Sequence, residues 1–242
     1  MTTNGHTASD RAGTAAIAPA GTAAPASQTL DRGLRLLAAV AEAPAPLAIG
    51  EAAAAVGLHR SVAYRLLRTL EDHRLVRREA GDRFTVGYGV VSLSRRAVHD
   101  LAAAASGELH ALADDVDLAA FLMVREGEEA MTVLVAEPTS PGNWFTQRVG
   151  SRHPVGQGAP GAALASFDAP AEGERDAVRL VRDRGWCSST GEVFEGVTSV
   201  AAPVPGYRVP ASVAVTYVGE RPHEGLGPRV AEAARRISRR LA

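Results

Sequence analysis

A single glycine between two short apolar-patterned segments constrains this chain more than any other feature. Gly57 follows IGEAAAAV (49–56) and precedes LHRSVAYRLLRTL (58–70). The small residues of the first segment permit close approach of a neighbouring helix, and glycine suits a left-handed helix-ending turn. In the second segment Leu58, Val62, Leu66 and Leu70 make an inward stripe. Arg60, Tyr64 and Arg68 lie four apart on another face, with Ser61 and Arg65 beside them. VRREAGDRFTV (76–86) follows at once and reads as two short strands around the turn Ala80-Gly81-Asp82. Helix, glycine turn, basic helix and small β wing come in the order that a winged helix-turn-helix needs to set one helix into a DNA major groove.

On that reading His59, Arg60, Ser61 and Tyr64, near the start of the second helix, face base edges. Arg65 and Arg68 reach phosphates or guanine edges, and Arg77, Arg78 and Arg83 of the wing meet the flanking backbone or minor groove. Taken alone, the helix arginines describe a solvated face, and the wing arginines an edge strand protected against aggregation. Their order in the chain favours DNA. Charge distribution supports the same expectation. The net charge is −1, and all 26 basic residues are arginine. Between Leu58 and Arg96 nine arginines stand against four acids, a balance of +5, so the remainder sums to −6. A basic module joined to an acidic one is expected when only one part meets phosphates.

Residues 1–26 are mostly Ala, Thr, Gly and Pro with Arg11 as the only arginine, and read as a disordered arm. A first helix is expected from an N-cap at Thr29 to about Glu42, with Leu30, Leu34, Leu37 and Ala41 on one face, ended by Pro44 and Pro46. After the wing, residues 87–113 read as one long helix, or two with a break at Gly107. Val90, Leu93, Ala97, Leu101, Ala105, Leu109 and Leu112 form a seam suited to a partner subunit or the next domain.

From Val116 onward the pattern turns to β. Strands are expected at 118–125, 130–136, 145–149, 197–204 and 212–218. A small-residue loop (158–166) enters a short helix, and further helices are expected at 175–184 and 230–241. The fold class is therefore α+β in two domains, the second built on one sheet. The expected division is an arm (1–26), a DNA-binding domain (27–88), a linker helix (89–113) and a sensing domain (114–242).

Other chemistries find little support. Cys187 is the only cysteine, which excludes an intrachain disulfide or a CxxC motif, and the seven histidines show no ligand spacing. Cys187 follows Trp186 in an expected buried turn with no histidine nearby in sequence, so it is not read as a nucleophile. Glu192 and Glu195 resemble a paired-carboxylate site, but surface charge or local hydrogen bonding explains them more cheaply. No cofactor, metal or catalytic residue is expected. No apolar run approaches the ~18 residues of a membrane helix, and no signal peptide is evident, which makes cytoplasm the default.

The order of motifs resembles the IclR family of bacterial transcription regulators over residues 28 to about 221. LDRGLRLLAAV (30–40), GLHRSVAYRLLRTLEDHRLVRR (57–78) and RFTVGYGVVSL (83–93) carry the likeness in the first half. VGSRHPVGQGAPGAALAS (149–166), RGWCSSTGEVFEGVTSVAAPV (184–204) and PASVAVTYVGERP (210–222) carry it in the second. The resemblance implies a winged helix-turn-helix, a linker helix and a GAF-like domain that binds a small effector. It also implies double-stranded operator DNA as a partner and a homodimer or dimer of dimers. The implied pocket positions are Ala159, Pro160, Ser189, Ser199, Ala214 and Thr216. Ser189 stands where the family usually has an acid and Ala214 where a hydroxyl is common, which favours a neutral or weakly polar ligand. Backbone N–H groups at 158–161 offer a place for a carboxylate. Two rival readings are an enzyme with a vestigial DNA-binding module and an effector-blind architectural DNA-binding protein.

Overall fold

The computed structural model describes residues 27–142, 144–219 and 223–241, the side chains of 95–98 and 223–224 excepted. The arm expected at 1–26 and the seam side chain of Ala97 lie outside the described residues. The rest divides into two compact units that meet between His99 and Asp100.

The first unit begins with α1 (Gln28–Glu42), capped by Ser27, whose hydroxyl accepts from the Leu30 N–H, rather than by Thr29. Its buried face is Gly33, Leu36 and Val40, not the expected stripe: Leu30 and Leu34 are exposed. A two-residue strand, β1 (Leu47–Ala48), leads into α2 (Ile49–Ala55), where the Glu51 carboxylate accepts from the Ala48 N–H at 2.8 Å. Gly57 then takes φ 67°, a conformation that costs L-residues about 1–2 kcal/mol. The chain reverses there into α3 (Arg60–Asp72). Ala63, Leu67 and Leu70 are its buried face, whereas Val62 is exposed, so the inward stripe is turned by one residue from the one expected. These side chains close a core with Leu36, Ala52, Val76 and Phe84.

The wing is β2 (Val76–Glu79) and β3 (Arg83–Val86), paired Val76↔Val86 through Glu79↔Arg83. β1 completes it antiparallel to β3, giving the order β1-β3-β2. Then α4 (Gly89–Val116) runs as one helix of 28 residues with no break at Gly107. Within the first unit Val90 is half-buried and Leu93 exposed; within the second Leu101, Ala105, Leu109 and Leu112 are buried, so the seam is fully covered only in its later half.

The second unit is a six-stranded antiparallel sheet ordered β6-β5-β4-β9-β8-β7. The strands are β4 (Ala120–Glu126), β5 (Glu129–Ala136), β6 (Arg152–Pro154), β7 (Cys187–Thr190), β8 (Val197–Val204) and β9 (Ala211–Val218). No strand forms at 145–149, and β6 and β7 take the two edges instead. Two helices, α5 (Gly158–Ala165) and α6 (Asp176–Arg184), cover one face, sharing a core with Phe121, Met123, Cys187, Ala201 and Ala214. The terminal helix α7 (His223–Leu241) packs on β8 and β9 through Val230, Ala234 and Ile237 and starts earlier than the apolar pattern implies. It is tied to α4 by Arg240 donating to Glu108 at 2.6 Å and Arg229 to Asp115 at 3.3 Å. Among the described residues no helix is long and apolar enough to cross a membrane, and no cluster of metal-binding side chains occurs.

Candidate DNA-reading face and effector site

Burial of Ala63, Leu67 and Leu70 turns the opposite side of α3 outward. His59, Arg60, Ser61, Tyr64, Arg65 and Arg68 are all exposed there. Among the described residues the guanidinium groups of Arg60, Arg65 and Arg68 have no ion-pair partner within 4.0 Å. They form a cationic face that no described residue neutralises. The wing arginines differ. Arg83 donates to the Pro46 carbonyl at 2.8 Å and to Glu51 at 3.1 Å, stitching β3 to the start of α2. The Glu51 carboxyl is held below its usual pKa by the Ala48 N–H first and by Arg83 second. Arg78 meets Asp82 at 3.1 Å and Glu71 at 3.6 Å, with its guanidinium 5.1 Å from the centre of the Phe84 ring. Arg77 is paired with Glu79 at 2.8 Å. Arg78 and Arg83, expected on sequence grounds to contact DNA, also brace the wing through these partners.

In the second unit the sheet register sets four of the six expected pocket residues on one face. Ser189, Ser199 and Thr216 are cross-strand neighbours in one row, and Cys187, Ala201 and Ala214 form the next row. Residues two apart on a strand share a face, so Ser189, Ser199, Ala214 and Thr216 all lie under α5. Its first turn supplies the buried Ala159 and Pro160. The Ala159 N–H donates to Ser189 Oγ at 2.7 Å, and the Pro160 carbonyl accepts from Ser212 at 3.4 Å. Thr216 donates to the Phe145 carbonyl at 3.1 Å, and the Phe145 ring lies 5.2 Å from that of Phe194. That contact brings the loop before β6 and the loop after β7 over one end of the row.

Two participants were not legible in the sequence. Glu192, discounted there as surface charge or a local hydrogen-bonding group, accepts from the distant Gly158 N–H at 2.8 Å and from Arg175. Arg175 also donates to the Gly156 carbonyl at 2.8 Å. The N-terminus of α5, open to a carboxylate on sequence grounds, is therefore occupied by one from the chain itself. No spacing rule links residues so far apart; only the folded loops bring them together. Cys187 is fully buried, and burial pushes its thiol up to about 12, which leaves no thiolate for nucleophilic chemistry.

A winged helix-turn-helix with an outward cationic helix, carried on one chain with an α+β domain, defines a DNA-binding transcription regulator. Residues 29–80 match the IclR helix-turn-helix domain. The chain is 30% identical over 235 residues to the glycerol operon regulatory protein of Streptomyces griseus, covering 87% of this chain and 91% of that one. On these grounds it belongs to the IclR family of transcriptional regulators. Solved structures repeat the architecture. An IclR transcriptional regulator from Alicyclobacillus acidocaldarius aligns with a TM-score of 0.74 at 23% identity, over 90% of this chain and 100% of that one. An IclR homolog from Microbacterium hydrocarbonoxydans, complexed with 4-hydroxybenzoate, aligns with a TM-score of 0.76 at 18% identity, over 88% and 99%.

Proposed function

We propose that this regulator binds a specific operator through α3 and is controlled by a small molecule held under α5. The observation that carries the reading is the cationic face of Arg60, Arg65 and Arg68, which no described residue pairs, whereas Arg77, Arg78 and Arg83 are paired. In this reading residues 27–88 read DNA, 89–113 link, and 114–242 sense the effector. His59, Arg60, Ser61 and Tyr64 face base edges, and Arg65 and Arg68 neutralise phosphates. Arg78 and Arg83 aim the wing. Ala159, Pro160, Ser189, Ser199, Ala214 and Thr216 line the effector site. The protein acts in the cytoplasm as a homodimer or dimer of dimers, without cofactor. An effector that binds one quaternary arrangement more tightly than another shifts the pairing of reader units, and so changes operator affinity. The relatives support a small organic effector: one regulates a glycerol operon and another holds 4-hydroxybenzoate.

Capture of sheared genomic fragments by the full-length protein at about 150 mM salt tests this. Recovery of a few fragments that share a repeated half-site is expected, with none retained by a variant in which Arg60, Arg65 and Arg68 are all alanine. Indiscriminate capture, or none, would refute the reading.

A further inference from the structure

His153 stands in β6 opposite Ala130, and is 6% exposed. Its Nδ1 lies 3.0 Å from the Pro154 carbonyl, which can only accept, so Nδ1 carries the proton. Burial lowers the imidazole's pKa and outweighs the opposing Pro154 hydrogen bond, so the neutral ring presents Nε2 as a bare acceptor. Among the described residues nothing donates to that buried nitrogen. Cε1, the ring atom between Nδ1 and Nε2, is 3.9 Å from where a Cβ on Gly158 would stand. Gly158 opens α5, and the next N–H, that of Ala159, is bonded to Ser189. The ring that carries the orphaned acceptor therefore lies beside the first turn of α5, next to the Ala159–Ser189 bond.

What a ligand meets there follows from the neighbouring groups. The Gly158 N–H is already given to Glu192, whose charge is balanced by Arg175. Pro160 has no N–H to offer. An incoming carboxylate would face Glu192 at 2.8 Å from the donor it needs. It would also place its own lone pairs against those of His153. A hydroxyl meets neither obstacle. It donates to Nε2 and accepts from Ser189, whose oxygen is the acceptor for Ala159 and whose hydrogen remains to be given.

We infer that the corner formed by His153, Gly158 and Ser189 takes a neutral ligand through a hydroxyl that donates to His153 Nε2, with Glu192 barring carboxylates. This rests on the reading of residues 114–242 as the effector-binding part.

The test is isothermal titration calorimetry of the full-length protein with glycerol, erythritol and myo-inositol, and with glycerate as the acid matched to glycerol. At least one polyol is expected to bind and glycerate not. His153→Leu should weaken polyol binding by about tenfold, while His153→Gln, which keeps an acceptor, retains most of it. Glu192→Gln should admit glycerate. On wild-type protein the Nε2 resonance of His153 should move as polyol is added, a readout that needs no variant. Glycerate binding as tightly as glycerol, undiminished binding by a folded His153→Leu, or an unmoved resonance at saturation would each overturn the inference. If an acid or a non-hydroxylated aromatic alters operator affinity while no polyol binds, the effector reading survives and this inference falls. If no compound of either kind binds or alters operator affinity, both fall.

Discussion

Replacing Arg65 by alanine separates the two sets of arginines in the reader unit. Arg65 is exposed on α3 with no ion-pair partner among the described residues, so its full charge is available to a phosphate. Each phosphate neutralised on duplex DNA contributes about 0.9 to the slope of log affinity against log salt. A protomer whose Arg65 and Arg68 each meet one phosphate draws a slope of about 1.8 from them, or about 12-fold in affinity between ~50 and ~200 mM salt. Arg65→Ala should remove about 0.9 of that slope per bound protomer, which is about 3.5-fold over the same range. Arg83→Ala should leave the slope unchanged, because that guanidinium is spent on Pro46 and Glu51. Fluorescence anisotropy of a labelled operator duplex across a salt series measures both. Equal slope losses in the two variants would refute the division into reading and bracing arginines. A lost preference among sequences at unchanged slope would make Arg65 a base reader.

Two further outcomes concern the second unit. A Cβ on Gly161 would stand 2.4 Å from the Val155 carbonyl oxygen, so Gly161→Ala should lower stability by about 2–3 kcal/mol in urea unfolding; a wild-type midpoint would show that α5 shifts freely. Burial lowers the His153 pKa from 6.5, so the unfolded chain takes up a proton that the native state refuses. Stability should be full above pH 6.5 and decline as pH falls from 6.5 towards the native value, and His153→Leu should flatten that decline. Parallel pH dependences in variant and wild type would contradict the assignment.

The reader's plan could be read from the sequence because each of its devices is local. Gly57, the Ala80-Gly81-Asp82 turn and the arginine spacing on α3 all act within a few residues. Which side of a leucine-rich helix faces inward was not legible. α1 offers Leu30, Leu34 and Leu37 or Leu36 and Val40 as stripes, and the choice is made by packing against α3, where Leu66 comes 3.8 Å from the Cβ position of Gly33. The apolar-polar mix at 145–149 read as a strand. In the fold the segment serves side-chain bonds instead: the Phe145 carbonyl takes Thr216, and the Gln147 side chain takes the buried Thr132 hydroxyl at 2.9 Å. β7 was missed because Cys-Ser-Ser-Thr has little strand character of its own, and its pairing with β8 makes it one. At the candidate effector site the strand positions were implied by the family resemblance, and alternation agrees with it only in setting Ala214 and Thr216 on one face. Glu192, Arg175 and His153 reach the site from loops and an edge strand, and no periodicity reports such convergence.

The order β6-β5-β4-β9-β8-β7 joins two meanders, each made of strands consecutive in the chain, through a single seam between β4 and β9. Ala120 at that seam pairs with Val215, about 95 residues later. During synthesis the first meander emerges with the inner edge of β4 bare, and it stays bare until nearly the whole chain has left the ribosome. A nascent chain stalled or truncated before β9 exposes a run of apolar backbone able to pair with a second copy. Errors late in translation should therefore yield aggregated chains rather than free-standing DNA-binding fragments, so the same seam that completes the second unit also keeps incomplete copies away from DNA.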